Sequence, residues 1–152
     1  MAEEKLQERG LATTLGIVFT SSDKDCITGT MPITSAVLQP FGFLHGGATI
    51  SFLESLASYG AQLSANLETE RPFGTVVEIR HRKSGVSGLV HGTAKLAGSE
   101  PSHTAGIKQY WDVSAVDDAG DVISDGRITV KIVPVAYLEK KKREREEARA
   151  RG

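Results

Sequence analysis

A stretch of 22 residues with a single permanent charge constrains this chain more than any other feature. From Gly46 to Leu67 the sequence reads GGATISFLESLASYGAQLSANL, and Glu54 is its only Asp, Glu, Lys or Arg. The stretch lacks proline and is rich in alanine, leucine and serine, which predicts one long helix. A helix with a wet face normally carries several charges along it. We therefore expect this helix to be covered on most sides, with one acid set into a sheltered groove.

The remaining segments predict strands on both sides of this helix. Leu11–Thr20 and Cys26–Met31 precede it as strands, and Thr34–Leu44, which contains a proline and a glycine, is expected to be a loop. Short connections, such as the turn sequence DDAG before the last strand, favour antiparallel pairing. The order predicts an α+β fold in which an antiparallel sheet curls around the long helix. The strands predicted after the helix are Gly74–His81, Leu89–Ala97, Ile107–Val116 and Val122–Val133.

Composition narrows the class of protein. The 152 residues suit one domain, and the formal net charge of −1 argues against a general nucleic-acid or membrane-surface binder. The charged N-terminus has no apolar leader, and no apolar run reaches the roughly 20 residues that cross a bilayer. Cys26 is the single cysteine, so a reducing compartment is expected. The sequence predicts a cytoplasmic protein without nucleic-acid or membrane partners.

The end of the chain differs in composition from the rest. From Glu139 onward the sequence EKKKREREEARARG holds seven cations and four glutamates, and no apolar residue larger than alanine. It is either a solvated helix held by i,i+4 ion pairs or a disordered chain, and an anionic partner for it is the less favoured interpretation. We therefore divide the chain into a lead segment (1–10), a folded domain (11–134) and a charged tail (135–152).

Glu54 and the start of its helix are candidate functional groups. A glutamate is most often a surface acid in an ion pair. A carboxylate in a partly dry groove must instead be hydrogen-bonded, shift its pKa, or be used in chemistry. The pair Gly46-Gly47 either permits a tight turn or presents backbone N–H groups to an anion at the positive end of the helix. His45, just before the pair, can donate a hydrogen bond, position the loop or pack in the core.

Helix geometry separates these two candidate groups. Glu54 follows Gly46 by eight residues, which is about 12 Å along the helix axis. One carbonyl group does not easily touch both within a single chain. If both act on one substrate, they come from different subunits, and the sequence predicts a symmetric dimer.

The sequence also resembles a known family in a specific block. The segments MPIT and QPFGFLHGGA, with Glu54 nine positions after His45, are similar to the hotdog-fold acyl-CoA thioesterases. The likeness is greatest to the PaaI-like group and to the 4-hydroxybenzoyl-CoA and 1,4-dihydroxy-2-naphthoyl-CoA thioesterases, and it spans Leu11 to Pro134. It implies an antiparallel sheet wrapped around one central helix, and hydrolysis of an acyl- or aryl-CoA to free acid and CoA. It also implies a homodimer that pairs into a tetramer, with no metal and no cofactor beyond the CoA of the substrate.

The resemblance implies roles for individual residues. Glu54 matches the carboxylate that acts as nucleophile or general base, and Gly46 matches the N–H that polarises the thioester carbonyl across the dimer interface. Gln39 and His45 match residues that line the thioester and orient it. Ser58 matches a hydroxyl that assists the water or the carboxylate. Gly47, His81 and Lys83 match positions that bind the CoA side of the substrate. Arg80 stands where relatives commonly have asparagine, and the loop Ala97–Gly106 is longer than theirs, so the CoA phosphate contacts stay open.

Two other functions compete with hydrolysis. A non-catalytic acyl-CoA-binding or regulatory module can use the same fold, because fold does not fix function. The joint presence of Glu54, Gly46, Gln39 and Ser58 disfavours it. A hotdog dehydratase or hydratase would need an Asp/His dyad pattern that the sequence does not show, and no zinc spacing, P-loop or Ser-His-Asp order is present.

Overall fold

The computed structural model describes residues 10–152, which form six strands and three helices. A short helix, α1, opens this part of the chain, and the long helix α2 lies between the second and third strands. A single turn of 3₁₀ helix, Ser35–Val37, lies in the loop before α2. The bounds are α1 Leu11–Thr14, β1 Val18–Asp23, β2 Cys26–Pro32, α2 Gly46–Ser64, β3 Glu70–His81, β4 Leu89–Pro101, β5 Ile107–Val116, β6 Val122–Pro134 and α3 Val135–Arg151.

All six strands join one antiparallel sheet. The strand order is β1-β2-β4-β5-β6-β3, so β1 and β3 are its edges. The hairpin β5–β6 turns at the predicted DDAG sequence, with Val116 opposite Val122. Since β3 follows α2 directly but pairs with the last strand, the chain crosses the sheet between β3 and β4.

Helix α2 packs against one face of this sheet and forms the core with it. Phe52, Leu53 and Leu56 are fully buried on its inner side. Gly60 lies under the ring of Trp111, where an added methyl group would lie 2.7 Å from Cζ3. The small side chain lets helix and sheet approach closely. The predicted α+β fold, an antiparallel sheet around one long helix, is confirmed.

Some predicted bounds are wrong for local reasons. Leu11–Thr14 is a turn of helix rather than strand, and Gly16, at φ 72°, ends it and redirects the chain into β1. Strand β4 runs on to Pro101, because a bulge between Leu96 and Gly98 absorbs the extra residue and restores pairing with β5. The predicted loop Ala97–Gly106 therefore shrinks to residues 102–106.

The charged tail is a helix, the first of the two predicted alternatives. Helix α3 continues from β6 without a loop, and the Val135 N–H donates to the Thr69 carbonyl over 2.8 Å. No residue of α3 is buried. The predicted lead segment lies, except for Gly10, outside the described residues. Within residues 10–152, no helix has both the length and the apolar character that spanning a bilayer requires.

Candidate active site

Glu54 lies in the middle of α2, against the edge strand β3. Its side chain is half-buried. A methyl group added at Gly74 would collide with Oε1 and would lie 3.0 Å from Cδ. Within residues 10–152, no hydrogen bond or ion pair holds the Glu54 carboxylate. It is therefore not an ion-paired surface acid in this part of the chain. Ser58, one turn further along α2, is half-buried on the same side.

The start of α2 presents one free N–H group. His45 is the N-cap, and its Nδ1 accepts the Gly47 N–H over 2.9 Å. In the neutral ring this places the proton on Nε2, which is left able to donate. The N–H groups of Ala48 and Thr49 donate to the His45 carbonyl. Gly47 therefore does not offer its N–H to a substrate, whereas the Gly46 N–H has no acceptor among residues 10–152.

His81, at the end of β3, covers Gly46. A methyl group added at Gly46 would lie 2.7 Å from His81 Nε2. The other ring nitrogen, Nδ1, makes a 2.7 Å hydrogen bond with the hydroxyl of Ser124, which is fully buried. This bond fixes the imidazole over the helix start, and only a glycine at position 46 leaves room for it.

A pocket of about 230 Å³ joins these groups to the preceding loop. It is lined by four of the predicted site residues, Gln39, Gly46, His81 and Lys83, together with Phe43. Gln39 opens a tight turn in which the side chain Oε1 accepts the Phe41 N–H, so its amide nitrogen stays available as a donor. The structure thus brings four of the predicted site residues to one place, whereas His45 and Gly47 do not line this pocket.

Lys83 is held by two carboxylates at the rim of this pocket. Its Nζ lies 2.6 Å from Asp117 and 2.7 Å from Asp121, both in the β5–β6 turn. Hydrogen bonds to Asp117 and then Asp121 raise the pKa of Lys83 to about 12. The ammonium is charged at neutral pH, but its charge is already balanced by the turn.

Glu54 and Ser58 are separated from the pocket within one chain. Glu54 contacts β3 at Gly74, whereas Gly46 contacts β3 at His81. These two positions on β3 are seven residues, or about 23 Å, apart along the strand. Gly74 and Ser124, which support these groups, are not among the predicted site residues. A lone glycine in a predicted strand indicates close approach by another group, so Gly74 could have been predicted from the sequence.

Three aromatic side chains on or near α2 take different places. Phe43 lines the pocket at Gly46, while Phe41 is 85% exposed. Tyr59 packs against Phe19, with ring centroids 4.6 Å apart. Of the three, only Phe43 lies at the site.

An antiparallel sheet packed on one long central helix is the architecture of the hotdog-fold thioesterases. No family model matches the sequence. The chain is 32% identical over 119 residues to a 1,4-dihydroxy-2-naphthoyl-CoA hydrolase from Escherichia coli, covering 78% of this chain and 83% of the relative. It is 30% identical over 119 residues to a proofreading thioesterase from Cronobacter sakazakii, covering 78% and 82%.

A solved structure agrees with these relatives. A mutant thioesterase from Pseudomonas aeruginosa superposes with a TM-score of 0.78 at 28% identity, covering 88% of this chain and 93% of that one. The chain belongs to the hotdog-fold thioesterases, and it is a thioester hydrolase.

Proposed function

We propose that the protein hydrolyses an acyl- or aryl-CoA thioester to the free acid and CoA, with Glu54 as the essential carboxylate. One observation carries this proposal: a half-buried carboxylate on the central helix that no residue in 10–152 pairs with. A relative named as a CoA thioester hydrolase supports the substrate class.

The chemistry needs an attacking oxygen and a donor for the carbonyl oxygen. As general base, Glu54 takes a proton from water while the water oxygen attacks the carbonyl carbon. As nucleophile, Glu54 attacks directly and forms an anhydride that water then cleaves. In both routes the Gly46 N–H stabilises the oxyanion, the C–S bond breaks, and the thiolate leaves. Neither route uses a metal ion.

The two halves of the site meet in a dimer. Suppose β3 pairs antiparallel with its copy about a two-fold axis between Val77 and Glu78. Gly74 then lies opposite His81 of the partner subunit, and Glu54 faces the partner's Gly46. The unpaired edge of β3 supports this pairing, since Phe73 and Val76 are each 47% exposed and an open apolar edge favours association. The tetramer expected from the resemblance stays a prediction, which a measurement of the molecular mass in solution tests.

The direct test is thiol release from short-chain, long-chain and aromatic acyl-CoA thioesters. The wild type should hydrolyse at least one class, and Glu54→Gln should lower kcat at least about a hundredfold, because the base or nucleophile is lost. Glu68→Gln, an exposed acid just beyond the same helix, is the matched control and should keep full activity. A folded Glu54→Gln variant with wild-type turnover would overturn the proposal.

A further inference from the structure

Three cations lie in line on one face of α3. Lys142, Arg145 and Arg149 follow Leu138 at intervals of four, three and four residues, so they share one side of the helix. We name these three cations the basic stripe. They line a groove of about 570 Å³ together with Tyr137, Leu138, Lys141 and Glu146.

The basic stripe is not neutralised by the described part of the chain. Lys140 and Lys141 both pair with Glu144, whereas no ion pair within residues 10–152 involves the stripe. The contrast with the rest of the protein is strong. The last 14 residues hold seven cations and four acids, while the other 138 hold 11 cations and 15 acids. A polyanion is therefore attracted to the tail and repelled by the body.

The proposed substrate is such a polyanion, and the pocket at Gly46 lacks a free cation for it. CoA carries a diphosphate and a further phosphate at the end remote from the thioester. Among the described lining residues, Lys83 is the one lysine or arginine of that pocket. It is already bound between Asp117 and Asp121. An unpaired cation for the phosphates is therefore to be sought outside the lining of this pocket.

Helix α3 begins far from the pocket of its own subunit and, in the proposed dimer, near the pocket of the partner subunit. Helix α3 begins beside Thr69, at the end of β3 opposite to His81, and the 12 residues of β3 span about 36 Å. In the proposed dimer, Gly74 lies opposite the partner subunit's His81, a position that lines the pocket at Gly46. Glu70 lies four residues, or about 13 Å, from Gly74 along β3, past the end of the partner's strand at His81. Helix α3, about 25 Å long, therefore starts within reach of the partner's pocket.

We propose that the basic stripe binds the phosphates of the CoA moiety seated in the partner subunit's site. This inference rests on the proposed function and on its dimer. Arginine and lysine form charge-assisted hydrogen bonds with phosphate oxygens, and the unpaired state of the stripe leaves its donors available. The favoured ligand is a nucleotide carried by the substrate rather than a nucleic acid, because a strand long enough to pass beyond the stripe would meet the acidic body.

The test replaces the three cations of the basic stripe and measures the hydrolysis of two thioester substrates. The variant Lys142→Gln/Arg145→Gln/Arg149→Gln keeps helix propensity. The control Lys140→Gln/Arg143→Gln/Arg151→Gln removes the same charge from the opposite face of α3. Each protein is assayed with an acyl-CoA and with the same acyl group on N-acetylcysteamine, a thiol without phosphates. Circular dichroism and sedimentation verify the fold and the assembly of both variants.

The stripe variant should raise KM for the acyl-CoA roughly tenfold and leave kcat unchanged. Its KM for the N-acetylcysteamine thioester, and both KM values of the control, should match the wild type. An unchanged KM for acyl-CoA, or an equal rise in the control, overturns the inference while the proposed function stands. If the wild type hydrolyses neither substrate, the proposed function fails, and this inference fails with it.

Discussion

Glu54 reaches its place against β3 because position 74 carries no side chain. An added methyl group would meet the carboxylate oxygen Oε1 directly. We therefore expect Gly74→Ala to displace the carboxylate and to lower kcat at least about tenfold, since small misplacements of a reacting group cost orders of magnitude. Gly98→Ala is the control, because a methyl group there would meet nothing within 4 Å. Thiol-release kinetics measure the turnover of both variants, and the melting temperature verifies that they are folded. A fully active Gly74→Ala would show that the contact does not position Glu54.

At this scale the sequence predicts the candidate reacting groups more readily than the contacts that hold them in place. Glu54 stands out because its helix has no other charge. The occupation of the Gly47 N–H by His45, and the hydrogen bond between His81 and Ser124, depend on side-chain directions that spacing does not encode. Lys83 shows the same limit, since its two acidic partners follow it by more than 30 residues.

At the scale of elements, Lys83 ties the end of β3 to the β5–β6 turn. The pKa of Lys83 is raised to about 12, first by Asp117, and Lys83 in turn lowers the pKa of Asp117 below its usual value. The raised pKa adds stability that is present below about pH 10.5 and is lost as pH rises through about 12. The lowered pKa of Asp117 adds stability that is lost as pH falls through that pKa.

These signs predict how a substitution behaves with pH. Lys83→Gln should unfold at lower urea than the wild type at about pH 7, and the gap between the two midpoints should narrow as pH falls through the lowered pKa of Asp117. Lys95→Gln removes an exposed lysine of β4 and serves as the control. A gap that persists unchanged at low pH would mean that the ion pairs are not its cause.

Elements with a strong pattern are predictable, and their ends are not. Ile107–Val116 matches its predicted bounds, because alternating burial fixes a strand with hairpin turns on one side. The helix Leu11–Thr14 was missed, since a single turn set by Gly10 and Gly16 has no periodicity to detect. The bulge that lengthens β4 was missed because it depends on pairing with β5.

At the scale of the whole molecule, the two sheet edges should behave differently. Val76→Glu places a charge on β3, where we expect a second copy to pair, so it should yield monomers and lower activity together. Val18→Glu changes a valine on the other edge strand, β1, that is somewhat more exposed than Val76, and it should do neither. Sedimentation and thiol release check both variants. An active monomer from Val76→Glu would contradict a site shared between subunits.

We propose that each active site takes Glu54 from one subunit and the Gly46 N–H from the other. Two inactive variants, Glu54→Gln and Gly46→Pro, are co-expressed with different tags, and the mixed dimer is purified through both. Proline removes the N–H at the first helical position, where the helix backbone accepts it, and its side chain also displaces the His81 ring that covers Gly46, so both changes fall on the same half of the site. In the mixed dimer one site carries both defects and the other carries none, so thiol release should return to about half of the wild-type rate. A mixed dimer as inactive as its parents would place both groups in a single chain and contradict the account.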